Sequence, residues 1–176
     1  FLTLQQNRLM NLDEIDWKWY TDEVFRNRAL SNTLKPSEVN AEDYVAIYYA
    51  GGHGAMFDFP DAKELSAIAS KIYKNQGIVS AVCHGIVGLL NIVDEQGKEL
   101  VADRIITGFT NEEEEIGQAT AIVPFLAEDE LKKHGANYQS GAAYTDVVKV
   151  DGRLLTGQNP QSAHSLGQAV AKKLKK

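Results

Sequence analysis

The chain has a single cysteine among 176 residues and only four prolines. One thiol forms no internal disulfide and builds no multi-thiolate zinc site, which excludes both a disulfide-stapled scaffold and a zinc ribbon. Positive charge is also scarce: 18 Lys and Arg stand against 24 Asp and Glu, a net charge of -6. No overall field draws in nucleic acid or an anionic membrane, so neither is expected as a partner. The one basic cluster, "AKKLKK" at the C-terminus, reads as a solvated helix end that complements the helix dipole. No apolar run approaches the roughly 18 residues of a membrane-spanning helix. No secretory signal is visible, although a first residue of Phe1 in place of Met is compatible with removal of a preceding segment; a cytoplasmic protein is the expectation.

What is present is a folding composition, 44% hydrophobic and 24% charged, at a length that suits one domain over residues 1–176. The start is mixed, read as a polar loop and then a short helix from about Asp22. "YVAIYYAGG" is β-branched and aromatic with no polar face, the pattern of a strand covered on both sides in a parallel sheet. In "AKELSAIASKIYKNQG" Leu65, Ile68, Ala69 and Ile72 share one helical face, and Gly77 is expected to close the helix. "IVSAVC" is a second buried strand, and "HGIVGLLNIV" is expected to turn at once into a helix. That alternation predicts a doubly wound α/β fold. A short strand in "ADRIITGF", a helix in "VPFLAEDELKKHGANYQ", a hairpin turning at Asp151-Gly152 and a last helix opened by Asn159-Pro160 complete the chain.

The lone cysteine lies where a buried strand ends. In "AVCHG" a strand delivers Cys83 into a tight turn, the setting of a nucleophile elbow, with Gly85 sparing the backbone a Cβ clash. A helix N-terminus there is expected to favour thiolate and lower the thiol pKa. The competing reading is a small cysteine filling the core. His84 follows directly and can hold or shuttle a proton if a carboxylate orients it. Glu112 to Glu115, after the next strand, are the obvious supply; most of that acidic run reads as a solvated helix start. "AGGHG" ends the other buried strand, and Gly51 and Gly52 there let backbone N–H groups approach a substrate oxygen. His53 is a candidate ligand-binding residue or a structural one, and Met56, Phe57 and Phe59 wall a pocket or fill the core. His134 and His164 lack metal-like spacing, so no metal site is expected.

Together "YYAGGHGAMFDFPD", "AVCHGIVGLLN", "ITGFTNEEE" and "VDGRLLTGQNPQSAHSLG" resemble the DJ-1/PfpI superfamily, of the class I glutamine amidotransferase-like kind, and more closely its Hsp31-like branch. That branch includes glutathione-independent glyoxalases (glyoxalase III) and intracellular proteases or amidases. The resemblance implies a flavodoxin-like three-layer α/β sandwich with a mainly parallel sheet. It matches Cys83 to the family nucleophile, His84 to its neighbour and Glu114 to the acid after "TGFT", with Glu113 and Glu115 as alternatives of register. It places the oxyanion pocket near Gly51, Gly52 and His84, makes His53 a candidate there, implies no cofactor, and suggests a homodimer.

The chain departs from the pattern at its start. Relatives open with a strand, a helix and a second strand, and the first connection carries a glutamate that hydrogen-bonds the cysteine and shuttles a proton. Here "FLTLQQNRLMNLDEIDW" resembles the tail of the linker after those strands, and no residue matches that glutamate. The expected activity is conversion of methylglyoxal to lactate. The alternatives are amide hydrolysis by the same Cys83 and His84, and a stress chaperone or redox sensor without catalysis. The expected substrate is accordingly a small dicarbonyl or an amide.

Overall fold

The computed structural model describes residues 14–31 and 33–175. The chain divides into two compact units between Glu38 and Val39. In the smaller, helix α1 (Glu14–Thr21) precedes α2 (Glu23–Ala29). Asp22 caps α2 by accepting the Phe25 N–H at 2.8 Å, which satisfies one of the helix's orphan donors. That cap is the expected helix start. The α1 segment, expected as loop, forms a turn in which Trp17 and Tyr20, three residues apart, pack edge to face at 5.8 Å. The linker reading of the first residues lies mostly outside the described ones.

The larger unit begins with β1 (Ala46–Tyr49), α3 (Ala55–Asp58), α4 (Lys63–Lys74) and β2 (Ile78–Val82). A seven-residue 3-10 stretch, Cys83–Leu89, follows with no gap. Then come β3 (Ile105–Ile106), α5 (Asn111–Ile116), α6 (Ala127–Lys133), β4 (Asn137–Tyr138), β5 (Val148–Asp151), β6 (Leu154–Gly157) and α7 (Ala163–Leu174). The main sheet has the order β1-β2-β6-β5, with β3 and β4 paired separately. β1, β2 and β6 run parallel, while β5 returns antiparallel through the expected turn, where Gly152 holds φ 61°. A parallel β1–β2 pair needs a crossover, and α4 supplies it.

Strand alternation divides the core between the two faces of the sheet. Val79 and Ala81 of β2 pack with Ala69 and Tyr73 of α4, with Tyr49 and with Leu154. Ile78 and Val82 point the other way, to Leu155 and to Leu166 of α7. Helices therefore cover both faces, giving three layers, and all five residues of β2 are buried. Full burial of each aliphatic side chain stabilises the fold by about 1.5–3 kcal/mol. Met56 is buried with this core and Phe59 packs edge-on to Tyr49 at 5.3 Å, whereas Phe57 is exposed.

Two local expectations are revised. Gln76, not Gly77, takes the left-handed position after α4 (φ 66°); Gly77 is there because a Cβ would lie 2.5 Å from Ile72 Cγ2. The segment after Cys83 is 3-10 rather than α-helix. It lies so close to the end of β1 that a Cβ on Gly85 would sit 2.5 Å from the Tyr49 and Ala50 carbonyl oxygens, and one on Gly88 2.3 Å from the Tyr49 ring. Two glycines lower the local α propensity, and packing decides the geometry. Among the described residues no helix is long and apolar enough to cross a membrane.

Candidate active site

Cys83 occupies the turn between β2 and the 3-10 stretch in a left-handed conformation, φ 57°. A non-glycine residue held there stores strain, as nucleophile elbows do. Gly51, on the loop after β1, is pressed against it: an added Cβ would lie 2.7 Å from Cys83 Cβ and 3.3 Å from Sγ. Backbone N–H groups of Gly52 and His84 both donate toward the sulfur. Gly52 reaches it from a φ of 107°, which a side chain would resist. Of the two glycines named from the sequence, Gly52 supplies the amide and Gly51 the close approach.

The structure brings His84 and Glu114 to the thiol. His84 Nδ1 lies 3.4 Å from Sγ, and its Nε2 lies 2.8 Å from Glu114 Oε2. A carboxylate only accepts, so Nε2 carries the hydrogen and Nδ1 is left as the acceptor facing the thiol. Both groups are nearly sealed, at 1% and 2% exposure. The Phe109 ring packs against His84 at 4.2 Å, tilted by 36°. Sequence reasoning gave Phe109 no part, because one apolar residue after a glycine reads as core.

The run of four glutamates is resolved by the start of α5. Thr110 is its N-cap, and its Oγ1 accepts the Glu113 N–H at 3.1 Å while Glu113 Oε2 accepts the Thr110 N–H at 3.0 Å, a capping box. Glu113 is fully buried, and its Oε1 accepts from Tyr144 N at 2.7 Å, Asn159 Nδ2 at 2.7 Å and Gln158 Nε2 at 3.1 Å. Its carboxylate is satisfied by structure. Glu114 is thereby turned to the elbow, while Glu112 and Glu115 face solvent.

The electrostatics revise one expectation. Burial pushes the Cys83 thiol up to about 11 from 9.0; the His84 and Gly52 amides oppose this, and the Glu113 and Glu114 charges reinforce it. No long helix starts at the sulfur to favour the thiolate. Burial also lowers His84, against the raising effect of Glu114. The resting pair is therefore a neutral thiol beside a neutral imidazole, and the arrangement can deprotonate the thiol on demand.

His53 joins the cluster from the Gly52 turn, its Nε2 3.0 Å from Glu114 Oε1. Donor atoms of His53, His84 and Glu114 lie within 4.8 Å of one another. Zinc bonds to nitrogen are ~2.0–2.1 Å, so two donors on one ion lie at most roughly 4 Å apart. Both imidazoles already direct Nε2 to the carboxylate, so these atoms form a hydrogen-bonded chain first. His134 pairs with Glu99 at 2.8 Å, and His164 with Gln168 at 2.8 Å.

The sequence model of the DJ-1/PfpI family matches residues 16–173. The chain is 41% identical over 169 residues to the glutathione-independent glyoxalase HSP31 of Saccharomyces cerevisiae, covering 93% of this chain and 70% of that one. It is 38% identical over 150 residues to glyoxalase 3 of Candida albicans, covering 82% and 64%. Among solved structures, glyoxalase III of Candida albicans superposes with a TM-score of 0.87 at 32% identity over 96% of this chain and 74% of that one. The Rapid Encystment Protein of Francisella tularensis gives 0.86 at 38% identity over 92% and 72%. On its sequence and its three-layer sheet, the chain belongs to the DJ-1/PfpI family.

Proposed function

We propose that the chain is a glutathione-independent glyoxalase that converts a small 2-oxoaldehyde such as methylglyoxal to the 2-hydroxy acid. The observation that carries this reading is the line Cys83 Sγ, His84, Glu114, with two backbone N–H groups on the sulfur. The names of the similar proteins from Saccharomyces cerevisiae and Candida albicans support it. A Cys83 only 6% exposed favours a small carbonyl over a peptide.

In this reading His84 Nδ1 takes the thiol proton, and Sγ bonds to the aldehyde carbon as the C=O π pair moves to oxygen. The N–H groups of Gly52 and His84 hold that oxygen, which then receives the proton, giving a hemithioacetal. His84 next removes the hydrogen on that carbon, the electrons passing through an enediol, and returns a proton to the neighbouring carbon to leave a thioester. Water, deprotonated by His84, cleaves the C–S bond and Sγ recovers its proton. The sum is methylglyoxal plus water to lactic acid, with no oxidant and no cofactor. Cys83, His84 and Glu114 are the catalytic group, and Gly51 gives the elbow its room. The same reading takes the chain to act as a cytoplasmic homodimer, on the family resemblance alone.

The test is lactate formation from methylglyoxal without glutathione. The Cys83→Ala variant is expected to lose activity by about a thousandfold or more. Lactate formed by that variant at the wild-type rate overturns the reading.

A further inference from the structure

Glu114 carries two imidazoles, and the reaction above uses one. Oε2 accepts from His84 and Oε1 from His53 Nε2, the two rings lying 4.2 Å apart. The two histidines differ in one respect that matters: His84 is sealed at 1% exposure, while the His53 side chain is 50% exposed. The turn that aims the Gly52 N–H at the sulfur also places His53, through hydrogen bonds from Ala55 N to Gly52 O at 3.0 Å and from Met56 N to His53 O at 3.1 Å. One loop thus serves both ends of the site.

We propose that His53 is a positioning residue: its Nε2–H anchors Glu114 through Oε1 so that Oε2 stays on His84, and its own protonation, open to solvent, sets how strongly His84 attracts the thiol proton. His84 becomes a cation when it takes that proton, and Glu114 is the anion that balances it. A protonated His53 puts a second cation on the same carboxylate, next to the ring that must charge. Two cations then share one anion, His84 becomes a weaker base, and less thiolate forms. The titratable groups facing His53 are Glu114 from α5 and His84 from the elbow, with Cys83 beyond His84. Phe109 closes a third side with an apolar edge at 6.3 Å. Glu113, beside Glu114, is committed to Thr110, Tyr144, Gln158 and Asn159. The inference rests on the proposed function only for the part played by the thiol, so its test needs no substrate.

Cys83 is the only thiol in the chain, so its alkylation by iodoacetamide can be followed from pH 5 to 10 without interference. The wild-type rate is expected to rise in two steps, a first of about tenfold that belongs to His53 and a final one from the thiol's own ionisation. A step from His84, whose cation burial disfavours, is common to all variants that keep it. The His53→Gln variant keeps an N–H donor for Oε1 but cannot be protonated. It is expected to lose the His53 step while alkylating within about threefold of wild type above pH 8. The His53→Ala variant, with the anchor gone, is expected to be about tenfold slower throughout. His164→Gln, at an exposed histidine paired with Gln168, keeps the step. Persistence of the step in His53→Gln, or wild-type rates in His53→Ala, overturns the proposal. If the wild-type protein makes no lactate from methylglyoxal, the proposed function fails, and the alkylation profile still decides the part of His53.

Discussion

The Glu114→Gln variant isolates the charge that supports His84. Glutamine keeps the shape and its carbonyl still accepts the His84 N–H, so the fold should hold while the charge disappears. The neutral pair is favoured at rest, because burial raises the thiol to about 11 and lowers His84. Attraction between a thiolate and an imidazolium 3.4 Å apart returns about 5 kcal/mol at an effective dielectric of about 20. That attraction, with Glu114 charged, offsets part of the cost of forming the reactive ion pair. A hydrogen bond to a charged partner at 2.8 Å contributes about 2–3 kcal/mol to that balance, and a neutral amide recovers part of it. With a net loss of about 1–2 kcal/mol, the kcat/KM for methylglyoxal should fall by between ~5- and ~30-fold. The thermal midpoint should stay within a few degrees, measured on the same preparations. A Glu114→Gln protein with kcat/KM within threefold of wild type would refute the reasoning, because the carboxylate charge would then have no part in forming the ion pair.

The neighbouring Glu113→Gln should behave in the opposite way. Its amide N–H₂ would meet the Tyr144, Gln158 and Asn159 donors, so about 2–4 kcal/mol of stability should be lost in denaturant titrations, with the surviving folded fraction keeping much of its kcat. Alkaline stability offers a third check. The folded thiol is raised from 9.0 to about 11, so its contribution is fully present below pH 9 and is lost as pH rises toward 11, by about 3 kcal/mol in all. The difference in unfolding free energy between wild type and Cys83→Ala should shrink over that window, and a difference that is flat with pH would contradict a buried neutral thiol.

The fold was legible where the pattern was dense. β2 and its Cys-His-Gly ending could be read directly, because a mostly apolar run, broken only by Ser80, that stops at a histidine and a glycine fits a buried strand entering a tight turn. Three features were hidden. The charge state of the thiol was misread, since the sequence suggested a helix N-terminus under Cys83. The segment is instead 3-10, pinned to the end of β1 by Gly85 and Gly88, and burial dominates. α1 was missed because eight residues with three close aromatics give no usable periodicity. The part of Phe109 as the plate under His84 depends on a contact across 25 residues, which no local pattern carries.

The choice among the glutamates shows why a correct motif still leaves the chemistry open. "EEEE" is chemically uniform, and adjacent helical residues point about 100° apart, so Glu113 and Glu114 are aimed in different directions. What breaks the uniformity is Thr110. Its reciprocal hydrogen bonds with Glu113 set the phase of α5, and Tyr144 reinforces it from the far side. Tyr144 does so in a left-handed conformation, φ 54°, giving its N–H to the Glu113 carboxylate and its hydroxyl to the Glu113 carbonyl. Once Glu113 is committed, Glu114 has the elbow as its remaining buried direction, and there it meets two imidazoles. The buried charge committed to structure is therefore what aims Glu114 at the elbow. Strain at Cys83 and at Tyr144 lies at the two ends of that same arrangement.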